Sequence, residues 1–133
     1  MPSLLVVEDD PDIRAMFVRA VAPLGDVHEA PDGEAAVRQL RSTRYDLVLL
    51  DLHMPVLDGF GVLDVLERER GPNEDTPVYV LTADPSEEAR KRVMKRRGGV
   101  FFLSKPVNLA ALVSLATAVL QRGRRSVAPP RRP

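Results

Sequence analysis

Five short apolar runs, each followed by a stretch of helical periodicity, constrain this chain more than any other feature. The runs are "LLVVE" (4–8), "DVHEA" (26–30), "DLVLLD" (46–51), "PVYVLT" (77–82) and "VFFLS" (100–104). A strand with one wet face alternates apolar and polar residues, whereas a strand covered on both faces is apolar throughout. The strong runs are of the second kind, so they need cover on two sides. The intervening segments supply it. Ile13, Met16, Phe17, Ala20, Val21 and Leu24 recur at the spacing of a helix face. Asp10 is placed to cap that helix, with Pro11 at its first position and Asp12 in its first turn. "DGEAAVRQLRS" reads as a helix with Ala36, Val37 and Leu40 inward, and "GFGVLDVLERER" as one burying Leu63 and Leu66. "SEEARKRVMKRR" (86–97) has only a thin apolar face of Ala89, Val93 and Met94. The last helix is strongly patterned by Leu109, Leu112, Val113, Ala116, Val119 and Leu120. "GPNED" (71–75) is turn chemistry.

This order predicts an α/β fold, a doubly wound five-stranded parallel sheet with five helices. Right-handed crossovers leave few topologies, and such sheets bind ligands at the carboxyl ends of their strands. A chain of 133 residues suits one domain, predicted over 1–121, and can bury a core without staples. The segment 122–133, "RGRRSVAPPRRP", has almost no apolar content and is expected to be a disordered Arg/Pro-rich tail or linker. Cysteine is absent, which excludes disulfides and thiolate metal sites. No apolar run approaches the roughly 18 residues of a membrane span, and the N-terminus lacks the charged and apolar regions of a leader. A soluble, cytoplasmic protein with no membrane partner is the expectation. Its net charge of zero hides an asymmetry. Up to residue 85 there are 7 Lys and Arg against 17 Asp and Glu, and beyond it 12 against 2.

Asp51 closes the greasiest strand, between Leu50 and Leu52. An unpaired charge there is costly, so the acid either meets water at the strand end or is needed. Other strand ends point to the same rim. The first gives Glu8 and Asp9, the fourth Thr82 and Ala83, the fifth Lys105 followed by Pro106. Clustered carboxylates raise one another's pKa unless a cation joins them. With only oxygen ligands in view, the cation is a hard divalent ion, Mg2+ or Mn2+. Lys105 is a point charge suited to a phosphoryl group, Thr82 could donate to one of its oxygens, and Ala83 leaves room above. Asp51 beside a metal is then a carboxylate nucleophile that forms an aspartyl phosphate.

"LLVVEDD", "LVLLDLHMPVLDGF", "VYVLTAD" and "FFLSKP", in this order and spacing, resemble the receiver domain of two-component response regulators over about residues 3–121. The resemblance implies a flavodoxin-like fold with strand order 2-1-3-4-5. It makes Asp51 the phosphoacceptor, Asp9 a direct metal ligand, Glu8 a ligand through water and the His53 backbone carbonyl a further one. Thr82 and Lys105 would engage the phosphoryl group, and Phe102 matches the aromatic switch position. His53 and Asp84 fall where the family tunes dephosphorylation. Implied partners are a sensor histidine kinase or phosphotransfer protein and a downstream protein target. Arg90, Arg92, Lys95 and Arg96 would form the partner face on the fourth helix, and the surface of that helix, the fifth strand and the last helix is a candidate homodimer contact. Specific nucleic-acid binding is not expected of this segment.

Two rival readings differ in class. A haloacid-dehalogenase-like phosphatase also uses a nucleophilic Asp and magnesium, but it wants a second Asp two residues on, where His53 stands. A pseudo-receiver acting only as an interaction module would not need Asp9, Asp51, Thr82 and Lys105 together. The expected protein is a signalling switch that assists its own phosphorylation and dephosphorylation, and not an enzyme.

Overall fold

A computed structural model describes residues 1–83, 86, 91 and 100–127, with the side chains of the last helix as far as Arg122. Five strands, β1 (Ser3–Val7), β2 (Asp26–Ala30), β3 (Leu47–Asp51), β4 (Val78–Thr82) and β5 (Val100–Ser104), pair in parallel in the order β2-β1-β3-β4-β5. The described helices are α1 (Pro11–Val21), α2 (Gly33–Ser42), α3 (Gly59–Arg68) and α4 (Leu109–Val127). Apart from Ser86 and Lys91, the helix predicted over 86–97 lies outside the described residues, and so do Asp84, Arg90, Arg92, Lys95 and Arg96.

The double winding can be read from alternate residues of each strand. Leu5, Val7, Val48, Leu50, Val78 and Val80 face one way and pack with Ala36, Val37 and Leu40 of α2 and Val62, Leu63 and Leu66 of α3. Their neighbours Leu4, Val6, Leu47, Leu49, Tyr79 and Leu81 face the other way, onto Phe17 and Val21 of α1 and Leu112, Ala116 and Leu120 of α4. Each Leu or Val so buried contributes about 1.5–3 kcal/mol relative to exposure. Because the side-chain period is two, a one-residue slip would exchange both faces, which pins the register.

Side chains close the helix starts. Asp10 Oδ1 accepts from the Asp12 and Ile13 amides at 2.9 and 3.1 Å. Asp32, Asp58 and Asn108 accept from Ala35, Gly61 and Ala111 in the same way. Each such cap is worth about 1 kcal/mol.

Three details depart from the sequence expectation. Met16 is 41% exposed, because α1 buries only the narrow line of Phe17 and Val21, with Ile13 beside it. Leu24 belongs to a separate 3-10 turn, Ala22–Leu24, rather than to α1. The backbone of α4 runs on to Val127, past the domain end expected at 121. No proline occurs between Pro106 and Pro129 to stop it, and the residue before Pro129 is the first that proline disfavours in a helix.

Candidate functional site

The carboxyl edge of the sheet collects acids from two neighbouring strands. β1 ends at Val7, so Glu8 and Asp9 sit just beyond it, next to the end of β3 where Asp51 pairs with Leu81. Glu8 is 2% exposed and Asp51 5%, while Asp9 is open to solvent. Carboxylate oxygens of all three lie within 4.8 Å of one another.

Lys105, directly after β5, reaches into this group. Its Nζ donates to Glu8 Oε1 at 2.9 Å and stands 3.5 Å from Asp51 Oδ1. Burial keeps the Glu8 carboxyl above its ordinary value of 4.5. The Lys105 hydrogen bond opposes that rise, and the Asp51 charge adds to it. For Lys105, burial acts downward, but the bond to Glu8 and the charges of Asp51 and Glu8 hold it above 10.5. Among the described residues, three acids thus share one ammonium, and the site is short of positive charge. That shortage and the all-oxygen donor set fit a hard divalent cation held by Glu8, Asp9 and Asp51.

Backbone groups orient the acids. His53 N–H donates to Asp51 Oδ1 at 3.3 Å, and Asp10 N–H to Glu8 Oε2 at 3.2 Å. The Lys105 amide donates to the Thr82 carbonyl at 2.6 Å, which ties the end of β5 to the end of β4, and the Lys105–Pro106 peptide is cis. Thr82 is fully buried as the last residue of β4, and Ala83 beyond it is exposed. Phe102 is half-buried on β5, against the core face shared with α2 and α3. The His53 side chain is exposed. His28 is half-buried and contacts Tyr45 Oη at 3.1 Å.

Sequence reasoning missed Arg14. Its guanidinium donates to the Glu8 carbonyl at 2.9 Å and to Glu29 Oε1 at 3.0 Å, linking α1 to β1 and β2 behind the acids. A lone Arg in an amphipathic helix carries no signal of this kind.

The family model described as the response regulator receiver domain matches residues 4–117. Among curated relatives, the transcriptional regulatory protein PrrA of Mycobacterium leprae is 40% identical over 122 residues, 91% of this chain and 51% of that protein. The chain thus spans about half the length of such relatives. Among solved structures, the receiver domain of the Francisella response regulator 1452 superposes with a TM-score of 0.81 at 30% identity, covering 92% of this chain and 99% of that one. The receiver domain of the sensor histidine kinase PA1611 from Pseudomonas aeruginosa PAO1 gives 0.78 at 27% identity, covering 90% and 98%. That structure has a magnesium ion coordinated in its active-site cleft. Fold, acidic cleft and family match agree: the chain belongs to the response regulator receiver domains of two-component signalling, which are signalling modules rather than classical enzymes.

Proposed function

We propose that this chain is a phosphorylation-controlled switch in which Asp51 accepts a phosphoryl group. The observation that carries the reading is the Lys105 ammonium set between Glu8 and Asp51, with Asp9 alongside. A single buried acid would need one cation and no second or third carboxylate beside it. A nucleophile that must attract an anionic phosphoryl donor does.

The donor is a phosphohistidine on a sensor histidine kinase or phosphotransfer protein. A carboxylate oxygen of Asp51 attacks phosphorus, the P–N bond breaks, and the imidazole leaves with a proton from solvent. The product is an acyl phosphate on Asp51. Bound by Glu8, Asp9, Asp51 and the His53 carbonyl, Mg2+ or Mn2+ would neutralise charge on the phosphoryl oxygens. Lys105 exchanges its bond with Glu8 for one with the new phosphoryl group, and the Thr82 hydroxyl donates to another oxygen. Ala83 leaves the approach open, and the residue types at His53 and Asp84 tune the rate of dephosphorylation.

Capture of the phosphoryl group by Thr82 and Lys105 biases the region 82–106 between two arrangements, with Phe102 moving between them. The output is protein contact, through the basic residues Arg90, Arg92, Lys95 and Arg96 and through homodimer formation at the adjoining face. Residues 1–121 are the switch, and the segment from 122 is a linker whose first part, as far as Val127, continues α4. The donors are charged by ATP, so the reaction belongs in the cytoplasm. Intact mass after incubation with acetyl phosphate and Mg2+ tests the reading. One added phosphoryl group, lost in Asp51→Asn, supports it, and no addition to the native chain sinks it.

A further inference from the structure

Residues 52–58 leave the sheet and double back so sharply that the Gly59 amide donates to the Leu52 carbonyl at 2.9 Å. Inside this segment the Leu57 amide donates to the Pro55 carbonyl at 2.9 Å, a γ-turn centred on Val56 at φ 71°. Branched side chains rarely adopt that backbone. The Val56 side chain is 76% exposed, so its own packing does not hold the turn.

Two helix starts hold it instead. At Gly33, the first residue of α2, a Cβ would stand 2.1 Å from the Leu57 carbonyl oxygen and 2.8 Å from its carbon. At Gly59, the first residue of α3, a Cβ would stand 2.5 Å from the Asp51 carbonyl oxygen and 2.7 Å from Leu52 Cα. The obstacles are backbone atoms in both cases and cannot rotate aside. The segment is therefore clamped between the first turns of two helices, at separations that only glycine permits.

The clamp bears on the site through His53. Its amide holds Asp51 Oδ1 with a long bond of 3.3 Å, which a shift of a fraction of an ångström would re-aim or break. Ordinary contact begins at 3.4 Å, so a methyl group at position 33 must drive Leu57 away by more than 1 Å. Leu57 is separated from His53 by only three residues, so that displacement reaches the Asp51 contact.

We propose that Gly33, on a helix that contributes no acid to the cleft, is a positioning residue for the phosphoryl-accepting site, setting through Leu57 the height of the 52–58 segment over Asp51. The proposal rests on the receiver reading above. Its consequence is that metal binding and phosphoryl transfer depend on how the first turn of α2 is seated, although α2 touches neither carboxylate nor phosphoryl group.

The test compares the native chain with Gly33→Ala and with Asn73→Ala, which loosens the fold from a buried turn bonded to Tyr45 and Leu40. Mg2+ affinity is read by titration calorimetry, acetyl-phosphate labelling rate by intact mass, and stability by thermal unfolding. Gly33→Ala is expected to lower affinity and labelling rate by tenfold or more, as about 1 Å of misplacement does at reacting centres. Asn73→Ala is expected to change both by less than twofold while lowering Tm. Native-like binding and labelling in Gly33→Ala overturns the proposal, as does an equal loss in Asn73→Ala, which would trace the effect to stability. A native chain that neither binds Mg2+ nor labels overturns the phosphoacceptor reading itself. Should Gly33→Ala fail to fold, Gly33→Ala/Val56→Gly frees the turn to yield. The double variant is expected to fold and still bind weakly, with Val56→Gly alone near native, and native affinity in the double variant overturns the clamp.

Discussion

Lys105 Nζ lies 2.9 Å from Glu8 Oε1, joining residues 97 apart in sequence across the carboxyl edge of the sheet. Glu8 is almost wholly buried, so this ammonium is its principal compensation. The folded Glu8 carboxyl lies above 4.5, so its contribution to stability is full below 4.5 and lost as pH rises through the folded value. Lys105, held above 10.5, contributes fully below 10.5 and loses that contribution as pH rises through its own folded value. Both groups weaken the fold in the alkaline direction. Lys105→Met should cost about 3 kcal/mol near pH 8, since it strands a buried charge. The cost should shrink as pH falls through the folded value of Glu8, where that carboxyl takes up a proton and no longer needs a cation. Thermal unfolding across that range is the check, and a pH-independent difference would count against the pair.

The crowding of Glu8, Asp9 and Asp51 predicts an opposite effect for Asp51→Asn. Without metal, removing one of three neighbouring negative charges should stabilise the chain by about 1 kcal/mol at pH 7. With metal the order reverses. Mg2+ at ten times its dissociation constant should add about 1.4 kcal/mol to the native chain and much less to the variant, which lacks one ligand. Tm with and without Mg2+, and after a chelator, measures both effects.

Asn73 sits in the "GPNED" turn, yet it is 1% exposed. Its Nδ2 donates to the Leu40 and Thr43 carbonyls, each at 2.7 Å, and its Oδ1 accepts from the Tyr45 amide and the Thr76 hydroxyl at 2.7 and 2.9 Å. Every donor and acceptor position of the amide is filled. Asn73→Ala leaves several buried partners unsatisfied and should cost about 3 kcal/mol. Denaturant unfolding will report it as a lower midpoint with little change in slope.

Val56 makes the reverse prediction. Its backbone at φ 71° suits Asn far better than a branched residue, and its exposed side chain has little packing to lose. Val56→Asn should stabilise by about 1 kcal/mol. An unchanged or lower Tm would mean that the turn is not strained as the geometry implies.

The fold was legible because strands covered on both faces leave apolar runs that need no partner information to recognise. The acids and Lys105 were legible for a related reason, since each ends such a run, where topology alone brings strand ends together. Asn73 was not, because a buried turn has the composition of an exposed one. Its burial depends on Leu40, Thr43 and Tyr45, about 30 positions away. Gly33 was equally silent: nothing in "PDGEAAV" reveals that a carbonyl 24 residues later will rest on it. Met16 was misplaced because periodicity marks a wide face, whereas the contacts made by α1 bury a narrow one.

The most direct measurement is to locate the modified residue. The chain, labelled with acetyl phosphate and Mg2+, is reduced with borohydride, which turns an acyl phosphate on aspartate into homoserine, and the digest is sequenced by mass spectrometry. The account predicts homoserine at position 51 alone. Homoserine elsewhere, with Asp51 intact, would contradict it.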